Sequence, residues 1–198
     1  METTQFRAVF GGFAAALSLG IALAGCSSTV KRPDGGEGLL PVGSSAPDFA
    51  ATTKAGDPTR LSALKGAPVV VYFYPKDETP GCTREACAFR DAWDRLQAAG
   101  ARVWGISADS HESHVAFARE HQLTFPLLPD PELRWATAFG VSTTLGMTDR
   151  VTFLVGRDGR IAKVYPDVDP AVHVDQVLAD LAALGADPTP PGPAPSRP

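Results

Sequence analysis

Positive charge is in short supply in this chain. Lysine and arginine together number 18 against 22 aspartates and glutamates, the formal net charge is −4, and no basic cluster stands out. That excludes the electrostatic footprint of a nucleic-acid binder. Cysteine is scarcer, with three residues in the whole chain. Three is too few for a disulfide framework, and Cys26, Cys82 and Cys87 lack the grouped spacing of a structural zinc site. His111, His114 and His121 could share one helical face, but no acidic or thiol ligand obviously joins them, so no metal site is assigned and no cofactor is called for. No internal repeat is visible. What remains is material for one ordinary globular domain with extra segments at both ends.

The first segment has the layout of an export signal. Arg7 supplies a positive head, partly offset by Glu2, and residues 8–24 carry no charge. The stretch closes on Leu23-Ala24-Gly25-Cys26, which resembles the lipobox of bacterial lipoproteins. That resemblance implies a signal peptide over residues 1–25, a diacylated Cys26, and an exported protein anchored to a membrane and facing the periplasm or cell exterior. Two acyl chains anchor stably where one does not. An uncleaved membrane span is the alternative, although 17 residues is at the short edge of one. Residues 26–42, rich in Ser, Gly and Pro, read as a flexible tether. Residues 186–198 are too proline-dense for helix or central strand and read as an extended, solvated tail.

Between them, residues 43–185 alternate strand and helix patterns. Residues 69–74 form a continuous apolar run, as in a strand buried on both faces. A helix follows Cys82, with Ala86, Phe89, Trp93 and Leu96 as its apolar stripe and Gly100 as its stop. Residues 101–107 predict a second strand, and Asp109 or Ser110 caps a helix running to about His121. Asp130-Pro131 predicts a helix closed by Gly140, and Asp169-Pro170 one closed by Gly185. Two strands, 151–155 and 160–165, flank the turn sequence Gly156-Arg157-Asp158-Gly159. The order implies an α/β, thioredoxin-like fold, a mixed central sheet flanked by helices. Trp93, Trp104 and Trp135 are core candidates.

The chemistry concentrates at Pro75-Lys76-Asp77-Glu78-Thr79-Pro80-Gly81-Cys82. This loop delivers Cys82 to the first turn of a helix, where backbone N–H groups and the helix dipole favour a thiolate. Pro75, Thr79 and Cys82 are spaced P-x-x-x-T-x-x-C, and Cys87 follows five residues later. These residues resemble the peroxiredoxins, and the Cys82/Cys87 pair resembles the Q-type, or bacterioferritin comigratory, subfamily. The likeness continues through residues 105–110, 125–128 and 150–155. It implies that Cys82 is the peroxidatic thiol and Cys87 the resolving one, closing an intramolecular disulfide. It assigns Arg150 as the cation facing the sulfur, Thr79 as a hydroxyl that bonds the thiolate, and Pro75 as a shield from water. A peroxide substrate, a thioredoxin-like electron donor and a monomeric state are implied too.

Residues five apart on an intact helix are rotated by about 140° and lie about 7.5 Å apart along the axis. That exceeds disulfide reach, so the first turns should unwind in each cycle. Blander readings stand beside these. Cys87 could be a buried helix residue and Thr79 a turn stabiliser, while Arg84 and Arg90 read as surface partners of Glu85 and Asp91 or of more distant acids. Two other functions compete: an exported thiol–disulfide oxidoreductase, which more commonly carries C-x-x-C, and a copper chaperone, which needs a histidine that the 69–91 segment lacks.

Overall fold

The computed structural model describes residues 29–48, 50–52 and 58–185. The signal segment with Cys26, and the proline-rich tail from residue 186, lie outside the described residues. A small hairpin, β1 (Ala50–Thr52) and β2 (Pro58–Arg60), precedes the main sheet. Then come β3 (Val69–Phe73), α1 (Pro80–Asp91), α2 (Trp93–Ala98), β4 (Arg102–Ser107) and α3 (His111–Glu120). These are followed by β5 (Leu127–Pro129), α4 (Arg134–Phe139), the two-residue strands β6 (Thr143–Thr144) and β7 (Met147–Thr148), β8 (Val151–Val155), β9 (Ile161–Tyr165) and α5 (His173–Gly185).

Five strands form one sheet in the order β5-β4-β3-β8-β9. β4 and β5 run parallel to β3, while β8 is antiparallel to it and β9 to β8, which makes the sheet mixed. Every residue of β3 is buried, and its alternating side chains feed two cores. Val70 and Tyr72 pack with α1, α2, α3 and α5, against Phe89, Leu96, Phe117 and Val177. Val69, Val71 and Phe73 pack on the other face with Trp104, Trp135, Phe139 and Phe153. This is the thioredoxin-like plan. No described helix is long and apolar enough to cross a membrane.

Four expectations shift. The helix after Cys82 is two helices, broken at Ala92, whose backbone leaves helical geometry at φ −91° and ψ 7°. The break leaves Trp93 half-buried beside Phe125, at 6.1 Å between ring centroids, while Leu96 is fully buried. Helix α4 starts at Arg134 rather than beside Pro131, because Leu133 adopts a left-handed conformation. Asp130 still caps it from a distance, accepting from the amides of Arg134 at 2.8 Å and Ala136 at 2.9 Å. Helix α5 starts at His173, after a turn in which the Asp169 carbonyl accepts from Val172 and His173.

The fourth is the 26–42 tether, which from Thr29 onward is folded against the domain. Arg32 is only 9% exposed and donates to the carbonyls of Glu37 and Gly38 at 2.9 and 2.7 Å. The Leu40 amide donates to the Phe139 carbonyl at 2.9 Å, and its side chain is buried. Gly140 closes α4 at φ +71°, and a Cβ there would fall 1.8 Å from the Gly38 carbonyl oxygen. A glycine is needed twice over at that contact, for the backbone angle and for the space.

Candidate active site

The antiparallel pairing of β3 with β8 sets Phe73 opposite Val151. The loop that leaves the end of β3 therefore meets Arg150, which immediately precedes β8, although 68 residues separate it from Cys82. Thr79 precedes α1 in extended conformation, Pro80 opens the helix, and Cys82 lies in its first turn. Proline fits there because its missing N–H would have no intrahelical partner. The amides of Gly81 and Cys82 are likewise free of the helical ladder at such an end.

Cys82 is 1% exposed, and Arg150 donates from Nη2 to its sulfur at 3.3 Å. A Cβ at position 81 would stand 3.2 Å from the same Nη2, so glycine lets the guanidinium approach. The other terminal nitrogen, Nη1, forms an ion pair with Glu85 Oε2. Glu85 is fully buried one turn beyond Cys82, and its Oε1 has no hydrogen-bond partner among the described residues. Burial pushes the Glu85 carboxyl up to about 7 against the pull of Arg150. Burial works against the Arg150 cation, but Glu85 and Cys82 outweigh it and hold the guanidinium above its ordinary value. A guanidinium fixed at one end leaves the other aimed at sulfur.

The loop is tied down by a buried polar network. Asp77 Oδ1 accepts from the Tyr74 hydroxyl at 2.7 Å, and Oδ2 accepts from Ser113 Oγ at 2.7 Å and lies 2.9 Å from His114 Nδ1. The Asp77 amide donates to Asp109 at 2.8 Å. Burial opposes the charge on Asp77, yet His114, Ser113 and Tyr74 hold its carboxyl below the usual range. Beyond it, Glu78 takes a left-handed φ of +59°, which reverses the chain towards the helix. The Thr148 hydroxyl donates to the Tyr74 carbonyl at 2.7 Å and joins β7 to the same corner.

Of the residues singled out in the sequence, Cys82 and Arg150 meet directly. Pro75 is half-buried at the start of the loop. The Thr79 hydroxyl donates to the Lys76 carbonyl at 2.9 Å, so its proton serves the loop rather than the sulfur. Cys87 is a free, half-buried thiol on the same intact helix as Cys82, which is also free. Glu85 is not a surface partner of Arg84; it is the buried partner of Arg150, and Arg84 is exposed. Arg90 does pair with Asp91, at 2.8 Å. The histidines do not form one patch: His114 is buried against Asp77, and His121 lies 3.1 Å from Glu78. Glu78, Glu120 and His121 bring one ligand atom each within 4.8 Å of the others, on a largely exposed surface.

A buried thiol in the first turn of a helix, met by a guanidinium across a thioredoxin-like sheet, defines a thiol-based redox protein. The sequence matches the AhpC/TSA family over residues 42–164. The chain belongs to that family, in the branch of peroxiredoxin Q and the bacterioferritin comigratory proteins, and is a thiol-dependent peroxidase. It is 46% identical to a chloroplastic peroxiredoxin Q of Sedum lineare over 145 residues, covering 72% of this chain and 78% of that one. It is 41% identical to the peroxiredoxin bcp of Coxiella burnetii, over 72% of this chain and 99% of that one. Among solved structures, the peroxidoxin BcpB of Mycobacterium tuberculosis superposes with a TM-score of 0.68 at 36% identity, covering 73% of this chain and 97% of that one.

Proposed function

We propose that Cys82 is the peroxidatic cysteine, that Cys87 resolves it within the same chain, and that Cys26 ties the enzyme to a membrane. The contact at 3.3 Å between Arg150 Nη2 and Cys82 Sγ, with Glu85 fixing the far side of the guanidinium, carries the assignment of Cys82, while Cys87 and Cys26 rest on the sequence resemblance. The Cys82 thiolate attacks the nearer oxygen of a hydroperoxide. An S–O bond forms, the O–O bond breaks, and the departing oxygen leaves with its electron pair and takes up a proton as water or alcohol. Arg150 stabilises the negative charge on sulfur before attack and on oxygen during it. The thiolate of Cys87 then displaces hydroxide from the Cys82 sulfenic acid, and a thioredoxin-like dithiol reduces the disulfide that results. Hydrogen peroxide and organic hydroperoxides are the substrate class. The protein works as a monomer on the outer side of a membrane, in the periplasm or at the cell surface.

Rapid-mixing kinetics on the full chain test the assignment. Cys82→Ser should lose peroxide reduction altogether. Cys87→Ser should complete one turnover and stall, with a trappable sulfenic acid. Arg150→Met should slow the first step by roughly a hundredfold, the scale of losing one donor to developing charge. Continued turnover by Cys87→Ser under a thioredoxin-like reductant, or reduction by Cys82→Ser, would sink the two-cysteine scheme.

A further inference from the structure

The grip on the catalytic loop changes between Asp77 and Glu78. Upstream, Tyr74 and Asp77 are held from several elements at once. The Tyr74 amide donates to the Ile106 carbonyl of β4 at 3.1 Å, and the Tyr74 carbonyl accepts from Thr148 of β7 at 2.7 Å. The Asp77 carboxylate accepts from the Tyr74 and Ser113 hydroxyls, each at 2.7 Å, and lies 2.9 Å from His114 Nδ1 on α3. The Asp77 amide donates to Asp109 Oδ2 at 2.8 Å, an oxygen that Ser107 Oγ fixes at 2.7 Å. Asp77 and His114 are both buried. His114 Nε2 has no hydrogen-bond partner among the described residues, so burying this ring is costly, and what it gains there is the contact with Asp77.

Downstream the grip is slight. Glu78 meets His121 at 3.1 Å with its own side chain 50% exposed. The Thr79 hydroxyl donates to Lys76, inside the loop. Pro80 has no N–H to give, and Gly81 has no side chain. The next hydrogen bond to a distant element, among the described residues, is that of Cys82 with Arg150. Five residue steps join Asp77 to Cys82, a reach of up to about 17 Å when extended. The Cα atoms of residues five apart on an ideal helix lie roughly 9 Å from each other. A disulfide needs them within about 7 Å. Cys82 can make that movement without Asp77 letting go.

We infer that Asp77 is a positioning residue for the peroxide step, a fixed post clamped to α3 in both redox states, from which a short length of chain returns Cys82 to Arg150 after each opening. Unwinding starts at Glu78 and runs into the first turns of α1. Ser113 and His114 thereby help to keep the nucleophile in register, although neither bonds the sulfur. The inference rests on Cys82 being the peroxidatic thiol and Cys87 the resolving one.

The test uses the full chain, following sulfenic acid formation by rapid mixing with hydrogen peroxide and disulfide closure by quenched thiol counting. Asp77→Asn sets an amide group against the donors of Ser113 and His114. It should slow sulfenic acid formation by roughly a hundredfold, the scale of a misplacement of about 1 Å. Closure of the disulfide, once the sulfenic acid has formed, should be at least as fast as in the wild type. Ser113→Ala removes one hydrogen bond from outside the loop and should slow the first step in the same sense but less, so it covers the case in which Asp77→Asn does not fold. Ser113→Thr keeps the hydroxyl and should keep the rate. Hydrogen exchange on the wild type should find the Asp77 amide equally protected in the reduced and disulfide forms. An unslowed first step in both Asp77→Asn and Ser113→Ala overturns the inference. So does loss of protection at Asp77 in the disulfide form, which would make the network a latch that opens. Slowing of both steps by the same factor overturns it too, because a general loosening of the fold would do that. Cys87→Ser is run in parallel: if it still turns over, the two-cysteine scheme fails, whereas a stalled Cys87→Ser beside a fast Asp77→Asn removes only the role of Asp77.

Discussion

Glu85 and His173 titrate in opposite senses over overlapping pH ranges. Burial raises the Glu85 carboxyl from 4.5 to about 7, so folding favours its protonated form. That contribution is complete below pH 4.5 and is lost as pH rises through 7. Burial lowers His173 from 6.5 to about 4, where it lies 2.9 Å from the Thr152 hydroxyl oxygen. Its contribution is complete above pH 6.5 and is lost as pH falls through 4. In the wild type the two slopes oppose each other between these limits. Glu85→Gln should therefore expose the histidine slope, with stability falling by on the order of 2 kcal/mol as pH drops from 6.5 to 4. His173→Gln should show the reverse, falling as pH rises from 4.5 to 7. Urea unfolding across that range checks both, and equal slopes in wild type and Glu85→Gln would contradict the assignment. Cys82 is legible from its place at a helix start, whereas Pro75, Thr79, Cys87 and Arg150 are marked by the family resemblance. Glu85 is marked by neither, since a carboxylate is assigned to the surface by default. A signal existed: Cys82, Glu85, Ala86 and Phe89 occupy i, i+3, i+4 and i+7, one buried stripe with a charge inside it.

At the scale of elements, the break at Ala92 divides labour between α1 and α2. Helix α2 begins a new hydrogen-bonding register and keeps Leu96 in the core whatever happens upstream. Oxidation to the Cys82–Cys87 disulfide should then cost amide protection at residues 83–87 while Trp93–Ala98 retain theirs. Hydrogen exchange on the reduced and oxidised protein measures this, and loss of protection throughout α2 would count against confined unwinding. The long elements were readable because their periods repeat. Strand β3 is a five-residue apolar run, and Ser110 caps α3 through the Ser113 amide, as its position before the helix suggests. The strands β1, β2, β5, β6 and β7 are two or three residues long, too short for alternation to register. The start of α4 was misplaced because Asp130-Pro131 has the chemistry of a helix start, while the left-handed turn at Leu133 leaves no mark in sequence.

Across the whole molecule, the site depends on contacts that no local pattern contains. Arg150 reaches Cys82 only because β8 runs antiparallel beside β3, and the Asp77 network reaches α3 only because β3 and β4 are neighbours. The family resemblance supplied what periodicity could not. The proposed lipid on Cys26 belongs to this scale as well. Cys26→Ser, expressed with its signal segment, should lose acyl labelling and leave the membrane fraction while keeping full peroxidase activity. Unchanged membrane retention without label would leave the anchor to some other part of the chain.

The Arg32 clasp then fixes how far such an enzyme can stray. Arg32, six residues beyond Cys26, is already bonded to Gly38, which meets Gly140 of the domain, so a lipid on Cys26 would be joined to the folded protein by a leash of about 20 Å at full stretch. With so little slack the catalytic body would hover within a headgroup layer or two of the bilayer. Peroxides escaping from oxidised lipid would meet it almost at once, and any reductant would have to come to the membrane surface to recharge it.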